Sequence, residues 1–297
     1  MSTGTGMTAP ETAAADAEGP LARAPGAGGN RLVLALDDCA AMTVRNVRKV
    51  LRAPDQVSFT FIAPIMFTLL FRYVFGGAIR GLGHVSYVDY LVPGIAVQQA
   101  FFSSGNAGFA IADDRQKGFV DRLRSLPMAR SAVLVGHVAA TAVFTAVSLV
   151  ITTLVGLAVG LRPGSVGGLV AGLLLGLAFA SAVSWLFALV GLYASNSQAV
   201  NAITFPLIFP LTFASSAFVP TATMPSWLRV FADNQPVTLV IDAVRDLLIG
   251  DIGPAQRALL FAGRSTTTLV VESLLWAVGI AVVFGVLAVR RYNATTS

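Results

Sequence analysis

Charge is scarce in this chain, and its densest gathering is DDRQKGFVDRLRSLPMAR, Asp113 to Arg130. Carboxylates and guanidiniums packed this closely suit ion-pair contact with a partner protein or with a membrane surface. Other reactive residue types are thin. Cys39 is the only cysteine, which excludes an intramolecular disulfide and a cysteine-based metal cluster, and His84 and His137 stand far apart. The nearest approach to a nucleotide-binding loop, FAGRSTTT, has Arg264 where Lys is required, lacks the earlier Gly and follows no strand. Ser, His and acidic residues are too scattered for a hydrolytic triad. The expectation is a protein with no catalytic residue, no metal site and no cofactor of its own.

The surroundings of the charged segment set its context. Of 297 residues, 55% are hydrophobic and 12% charged, with mean hydropathy +0.75, whereas soluble domains carry about 25% charged residues. An all-α polytopic membrane protein is expected. Lys and Arg outnumber Asp and Glu by 20 to 15, but the basic residues fall mostly in short connections between apolar runs, where they set membrane orientation and do not indicate nucleic acid. Six runs are long enough to cross about 30 Å of hydrocarbon: 57–75, 88–112, 132–161, 166–193, 199–219 and 269–289. They form one transmembrane domain, 56–291.

Residues 1–30 lack the apolar content to fold and read as a disordered tail, and 292–297 form a second tail. From 31 to 55, Leu36, Ala40, Val44, Val47 and Leu51 recur at helical spacing, with Arg45, Arg48, Lys49 and Arg52 mostly on other faces. Such a helix lies in the membrane interface with its basic side toward anionic headgroups, although a solvated helix shows the same periodicity. Within 225–250, Val237, Val240, Ile241, Val244, Leu247 and Leu248 share one helical face and Asp242, Arg245 and Asp246 occupy the other. That apolar stretch is too short to span, so a re-entrant or interfacial segment is expected. With six crossings, Arg45 to Arg52, Arg115 to Arg130, Arg290 and Arg291 share one side, which makes both termini cytoplasmic in the cell membrane.

The opening segment thereby becomes the cytoplasmic loop between spans two and three. Gly118 releases the chain; Phe119, Val120, Leu123 and Leu126 cluster on one side of a short helix, Asp121, Arg122, Arg124 and Ser125 face away, and Pro127 stops it. The pattern of 118–127 fits a helix that docks a partner or one that rests on the membrane.

The run IADDRQKGFVDRLRSLPMARSAVLVGHV resembles the permeases of ABC-2 type transporters, in particular the actinobacterial daunorubicin-resistance group. Four further stretches share that resemblance, in the family's order: RNVRKVLRAPDQ, FRYVFGGAI, YLVPGIAVQQ and FVPTATMPSWLRVFADNQPVTLVIDAVRDLLIG. Together they cover the chain from about residue 40 onward. In DNQPVT, Gln235 intervenes where the family more usually has Asn directly before Pro.

The resemblance implies the transmembrane half of an ATP-driven exporter of hydrophobic or amphipathic molecules. It would pair with a second permease copy or a paralogue and with two ABC ATPase subunits, which would hold ATP and Mg. The loop after the second span would be the coupling helix, seated in a groove of the ATPase through Asp113, Arg115, Gly118, Phe119, Asp121, Arg122, Leu123, Leu126 and Pro127. The segment 225–250 would be an outward re-entrant pair of short helices.

Inside the spans, Asn201, Phe205, Phe209 and Phe213 repeat at four-residue steps along the fifth run, which Pro206 and Pro210 kink. Gln98, Gln99, Ser103 and Asn106 lie in the second. These residues either border a substrate path or serve helix packing and interhelical hydrogen bonds; the resemblance brings the fifth spans of two subunits together near the path. Gly164, Gly168, Gly172, Gly176, Ala180, Ser184 and Ala188 form a small-residue ladder that suits close helix packing. Arg72 and Glu272 sit near the outer ends of their spans. Two rival functions are an ATP-independent transporter or channel, which would normally carry ionisable groups near the bilayer middle, and a membrane assembly factor or lipid enzyme, which would need convergent catalytic groups. ATP dependence of transport separates all three.

Overall fold

The computed structural model describes residues 31–76, 85–119, 131–250 and 252–295, and these are helical with no strand among them. In chain order the α-helices are α1 (Arg31–Leu51), α2 (Pro54–Phe75), α3 (Tyr87–Ser104), α4 (Asn106–Gln116), α5 (Ala132–Ala158), α6 (Val166–Tyr193), α7 (Ser197–Phe213), α8 (Ser226–Asn234), α9 (Pro236–Ile249), α10 (Pro254–Phe261) and α11 (Thr266–Thr295). Three stretches are long and apolar enough to cross a bilayer: Ala132–Ala158, Val166–Tyr193 and Pro254–Ala294, the last running through α10 and most of α11. Phe61–Val74 and Ser197–Phe213 are shorter apolar helices.

Helix α6 is the hub, with α3, α4, α5, α9 and α11 packed around it. Its small-residue ladder explains why so many neighbours fit. A Cβ at Gly164 would stand 2.5 Å from the Ile249 carbonyl oxygen, one at Gly168 would clash with the Leu247 carbonyl, and one at Gly172 would stand 2.5 Å from Leu248 Cδ1. The ladder therefore seats α9 backbone-close on α6, in an environment where van der Waals packing must do what hydrophobic exclusion does in water. Ser165 caps the start of α6 by accepting from the Gly168 amide at 2.9 Å. At the other end, Gly108 of α4 lies against Gly191 so closely that a Cβ on either would clash with the facing backbone.

Two helices differ most from the sequence expectation. The second run, expected to be continuous over 88–112, is divided at Gly105 into α3 and α4. The fifth run ends at Phe213 instead of 219, because its last carbonyls are taken by other groups. The Gln235 side-chain amide donates to Leu211 O at 2.9 Å and Ala214 O at 2.8 Å, and Ser215 Oγ donates to Thr212 O. With those acceptors satisfied the chain can turn inward, where the Ala217 backbone packs against Gly94.

Candidate functional site

Polar groups gather at the two ends of the bundle. Along α11, Glu272 and Tyr292 lie about 30 Å apart at about 1.5 Å per residue, and the residues between them are predominantly apolar. That separation matches the hydrocarbon thickness of a bilayer.

At the first end stands Asp114, on the last turn of α4 and only 2% exposed. Arg45 Nη1 of α1 donates to its Oδ2 at 3.0 Å and Lys49 Nζ to its Oδ1 at 2.7 Å. His137 Nε2 of α5 lies 3.3 Å from Oδ2. Lys49 also donates to Asp113 at 2.7 Å, and Lys117 reaches Asp113 one turn away. The Arg45 guanidinium lies over the Phe119 ring at 3.5 Å. Burial pushes the Asp114 carboxyl up, but the surrounding His137, Lys49 and Arg45 outweigh it and hold it well below the usual carboxylate range. Asp113 is lowered in the same way: burial raises it and the Lys117 and Lys49 hydrogen bonds overcome that. Lys49, conversely, is raised, since its two carboxylates outweigh its burial.

This arrangement divides the basic residues of α1. Arg45 and Lys49 turn to the protein's own carboxylates, which bind them at hydrogen-bond distance, while Arg48 and Arg52 remain exposed. Met42 and Asn46 are buried, α1 packs along α5, and the stripe Leu36, Ala40, Val44, Leu51 stays exposed. Arg115 serves α6: its Nη1 donates to the carbonyls of Leu192 and, at 3.2 Å, Ala194, with a longer bond to Gly191. A cation placed on terminal carbonyls opposes the negative end of the helix dipole. Asp113, Arg115 and Phe119 are thus held by intramolecular contacts. Gly118 adopts φ 65°, where only glycine is unstrained, and a Cβ there would meet nothing within 4 Å. Asp121, Arg122, Leu123, Leu126 and Pro127 lie outside the described residues.

The aromatic residues form the second feature. Phe205, Phe209 and Phe213 stack at centroid separations of 5.0 and 4.7 Å and are 41 to 53% exposed. The series continues to Phe218 at 5.5 Å, then to Phe71 of α2 at 4.4 Å, while Phe102 of α3 meets Phe205 and Phe209 edge-on. Helix α7 buries only the row Val200, Thr204, Ile208, Thr212; Asn201 and the phenylalanines face outward. Asn106 is also exposed, Gln99 is half-buried, and Gln98 is buried with its Oε1 lacking a hydrogen-bond partner. Gln98 therefore belongs to the helix interior and not to the open aromatic face. The sequence missed Phe71, Phe102 and Phe218, which lie outside the four-residue repeat and arrive from other elements.

At the opposite end, Arg245 of α9 is fully buried. Its Nε donates to Tyr90 O at 2.9 Å, Nη1 to Asp242 at 2.8 Å and Nη2 to Ser216 O at 2.8 Å, while its guanidinium lies 3.7 Å from the Tyr90 ring centroid. Tyr90 Oη donates to Ser216 O at 2.6 Å. Asp246 receives a two-pronged pair from Arg257 at 2.9 and 3.0 Å. The sequence divides α9 into an apolar and a charged face; the structure buries both, because the charged face meets carbonyls and hydroxyls supplied by α3 and by the turn after α7.

Apolar helices of spanning length with polar clusters a bilayer apart define a multi-pass, all-α membrane protein. Residues 37–249 match the family model for the ABC-2 type transporter, and the chain belongs to that family of membrane transport permeases. It is 31% identical over 201 residues to the daunorubicin resistance ABC transporter permease protein DrrB1 of Streptomyces coeruleorubidus, covering 67% of this chain and 71% of that protein. It is 26% identical over 237 residues to the probable doxorubicin resistance ABC transporter permease protein DrrC of Mycobacterium tuberculosis, covering 79% and 81%. A putative transport permease, ycf38 of Cyanophora paradoxa, is 26% identical over 199 residues, covering 66% and 69%.

Proposed function

We propose that this chain is the permease subunit of an ATP-driven exporter that moves a hydrophobic or amphipathic molecule, such as a drug, polyketide or lipid, outward across the cytoplasmic membrane. Two ABC ATPase subunits would supply ATP and Mg, and a second permease copy or a paralogue would complete the path. The chain would cross six times, with both termini cytoplasmic and 225–250 re-entrant from outside. Permeases carrying drug-resistance names among the relatives support the substrate class.

The observation that carries this reading is the Asp113–Asp114 clamp. It joins α1 to α4 with His137 of α5 alongside, and Arg115 adds α6, immediately before the loop containing 118–127. A push delivered at that loop would therefore move α1, α4 and α6 together, with α5 packed along α1. The open Phe205, Phe209, Phe213 face offers the exported molecule a polarizable surface.

The test compares transport in inverted vesicles with and without a co-expressed ABC ATPase from the same gene cluster. Uptake should require the ATPase and ATP. Gly118→Trp and Arg122→Glu should insert normally while losing ATPase co-purification and transport. Transport without the ATPase would overturn the reading, and normal behaviour of both variants would remove the coupling role from this loop.

A further inference from the structure

A cleft of about 290 Å³ opens at the Arg245 end, lined by Asn234, Leu239, Arg264, Glu272, Leu275 and Trp276. Its wall is half polar, with two charged residues, and half apolar. Glu272 stands on the second turn of α11, one turn inside the membrane-length run, a depth at which an ionisable side chain calls for a partner. Glu272 Oε2 is buried from solvent and has no hydrogen-bond partner. Arg264 Nε forms a loose ion pair with it at 3.7 Å, beyond hydrogen-bond reach. The Arg264 guanidinium is committed elsewhere, donating through Nη1 to Asp233 O at 2.7 Å and through Nη2 to Asn234 Oδ1 at 3.3 Å. The cleft thus offers an unsatisfied carboxylate acceptor beside a fixed guanidinium, with an indole on its rim.

The flanks indicate its depth in the membrane. On α8, Trp227, Val230 and Phe231 share a helical face with Asn234 and are exposed at 74, 68 and 47%. On α11, Leu275 and Trp276 are exposed at 67 and 46%. Exposed tryptophan beside exposed aliphatic residues and a half-buried charge is the pattern of the headgroup boundary, where an aromatic ring meets both water and hydrocarbon. A cleft of this size sits just below the usual range of about 300–1,000 Å³ for drug-sized ligands, which suits a headgroup better than a whole polycyclic molecule.

We infer that this cleft binds the headgroup of a zwitterionic aminophospholipid from the adjoining leaflet. The primary ammonium donates to Glu272 Oε2 and lies against the Trp276 ring, the phosphate faces Arg264, and the acyl chains leave along Leu275. A primary ammonium fits because it has hydrogens to donate to an acceptor that lacks a donor. A zwitterion fits because Arg264 and Glu272 give the cleft no net charge. A trimethylated ammonium keeps the cation–π contact and loses the hydrogen bond. This site is separate from the aromatic face of α7 and does not depend on which molecule is exported.

The experiment titrates the purified full-length chain in detergent with phosphatidylethanolamine or phosphatidylcholine of identical acyl chains and counts bound lipid by native mass spectrometry. Wild type should favour phosphatidylethanolamine about tenfold, the value of one charge-assisted hydrogen bond. Glu272→Gln should erase that preference while leaving phosphatidylcholine binding unchanged. Glu272→Asp, which keeps the charge and withdraws it by one methylene, should retain part of the preference, and it serves as the readout if the Gln variant misfolds. Dodecylammonium, a primary amine without phosphate, should fail to displace phosphatidylethanolamine. Equal binding of the two lipids by wild type, or a preference unchanged in both Glu272 variants, would overturn the site. Displacement by dodecylammonium at equal concentration would overturn its zwitterionic character.

Discussion

Replacing Asp114 by Asn isolates the clamp that joins α1 to the bundle. The substitution keeps size and removes the charge that Arg45 and Lys49 approach at 3.0 and 2.7 Å. A hydrogen bond to a charged group contributes about 1.5–3 kcal/mol, so two would contribute about 3–6 kcal/mol if fully buried. The Arg45 and Lys49 side chains are 33 and 37% exposed and regain water when released, and Lys49 keeps Asp113. The expected loss is therefore about 2–3 kcal/mol of α1 docking. Amide exchange across Met42 to Val50 should accelerate roughly 30- to 150-fold, while the centre of α6 stays as in wild type.

The pH dependence has a definite sign. The folded Asp114 ionises below its unfolded value, so its contribution is complete above about pH 4 and is lost as pH falls through the lower, folded value. Protection of α1 should be flat from about pH 8 to about pH 5 and collapse only in strong acid. Exchange in Asp114→Asn within twofold of wild type would refute the argument, as would a wild-type loss of protection near neutral pH.

Three other experiments test other parts of the structure. Gly168→Ala should destabilise by about 1–3 kcal/mol through overpacking against Leu247 O, while Gly167→Ala, open to at least 4 Å, should be neutral or stabilising; thermal melting in detergent separates them. Arg245→Met should cost about 3–5 kcal/mol because it strands buried Asp242, and adding Asp242→Asn should recover part of the lost melting temperature. On the proposed function, Phe209→Ala should change transport or substrate range while expression and melting temperature stay near wild type, and unchanged transport of every substrate tested would remove the stripe from the path.

Apolar run length read α6 to the residue, since nothing interrupts 166–193 until Asn196 restarts the chain, and the spacing of its glycines already identified a close-packing face. The Arg245 cluster was not legible. Helical periodicity sorts residues into faces but does not say what covers each face, and the acceptors for Arg245 come from Tyr90 and Ser216, on distant elements. The same limit applied to α1. A basic stripe looks alike whether headgroups or Asp113 and Asp114 await it, and only the fold brings α4 alongside. Gln235, a departure from the family's pattern, proved to be the group that closes the end of α7. The residues around 118–127 were assigned by resemblance, and the structure contributes the anchors that precede them.

Helix α6 is fastened at both ends, by Arg115 on its last carbonyls and by the Leu248 carbonyl accepting from the Gly164 amide just before its start at 2.8 Å. A lone span longer or shorter than the surrounding hydrocarbon adjusts by tilting. Here tilt of α6 within the bundle would break one fastening or the other, and five neighbouring helices would have to follow. A thickness mismatch therefore falls on the bundle as a whole, which tilts as a unit or draws the lipid to stretch or thin around it, so any change in the shape of the bundle carries a contribution set by acyl chain length.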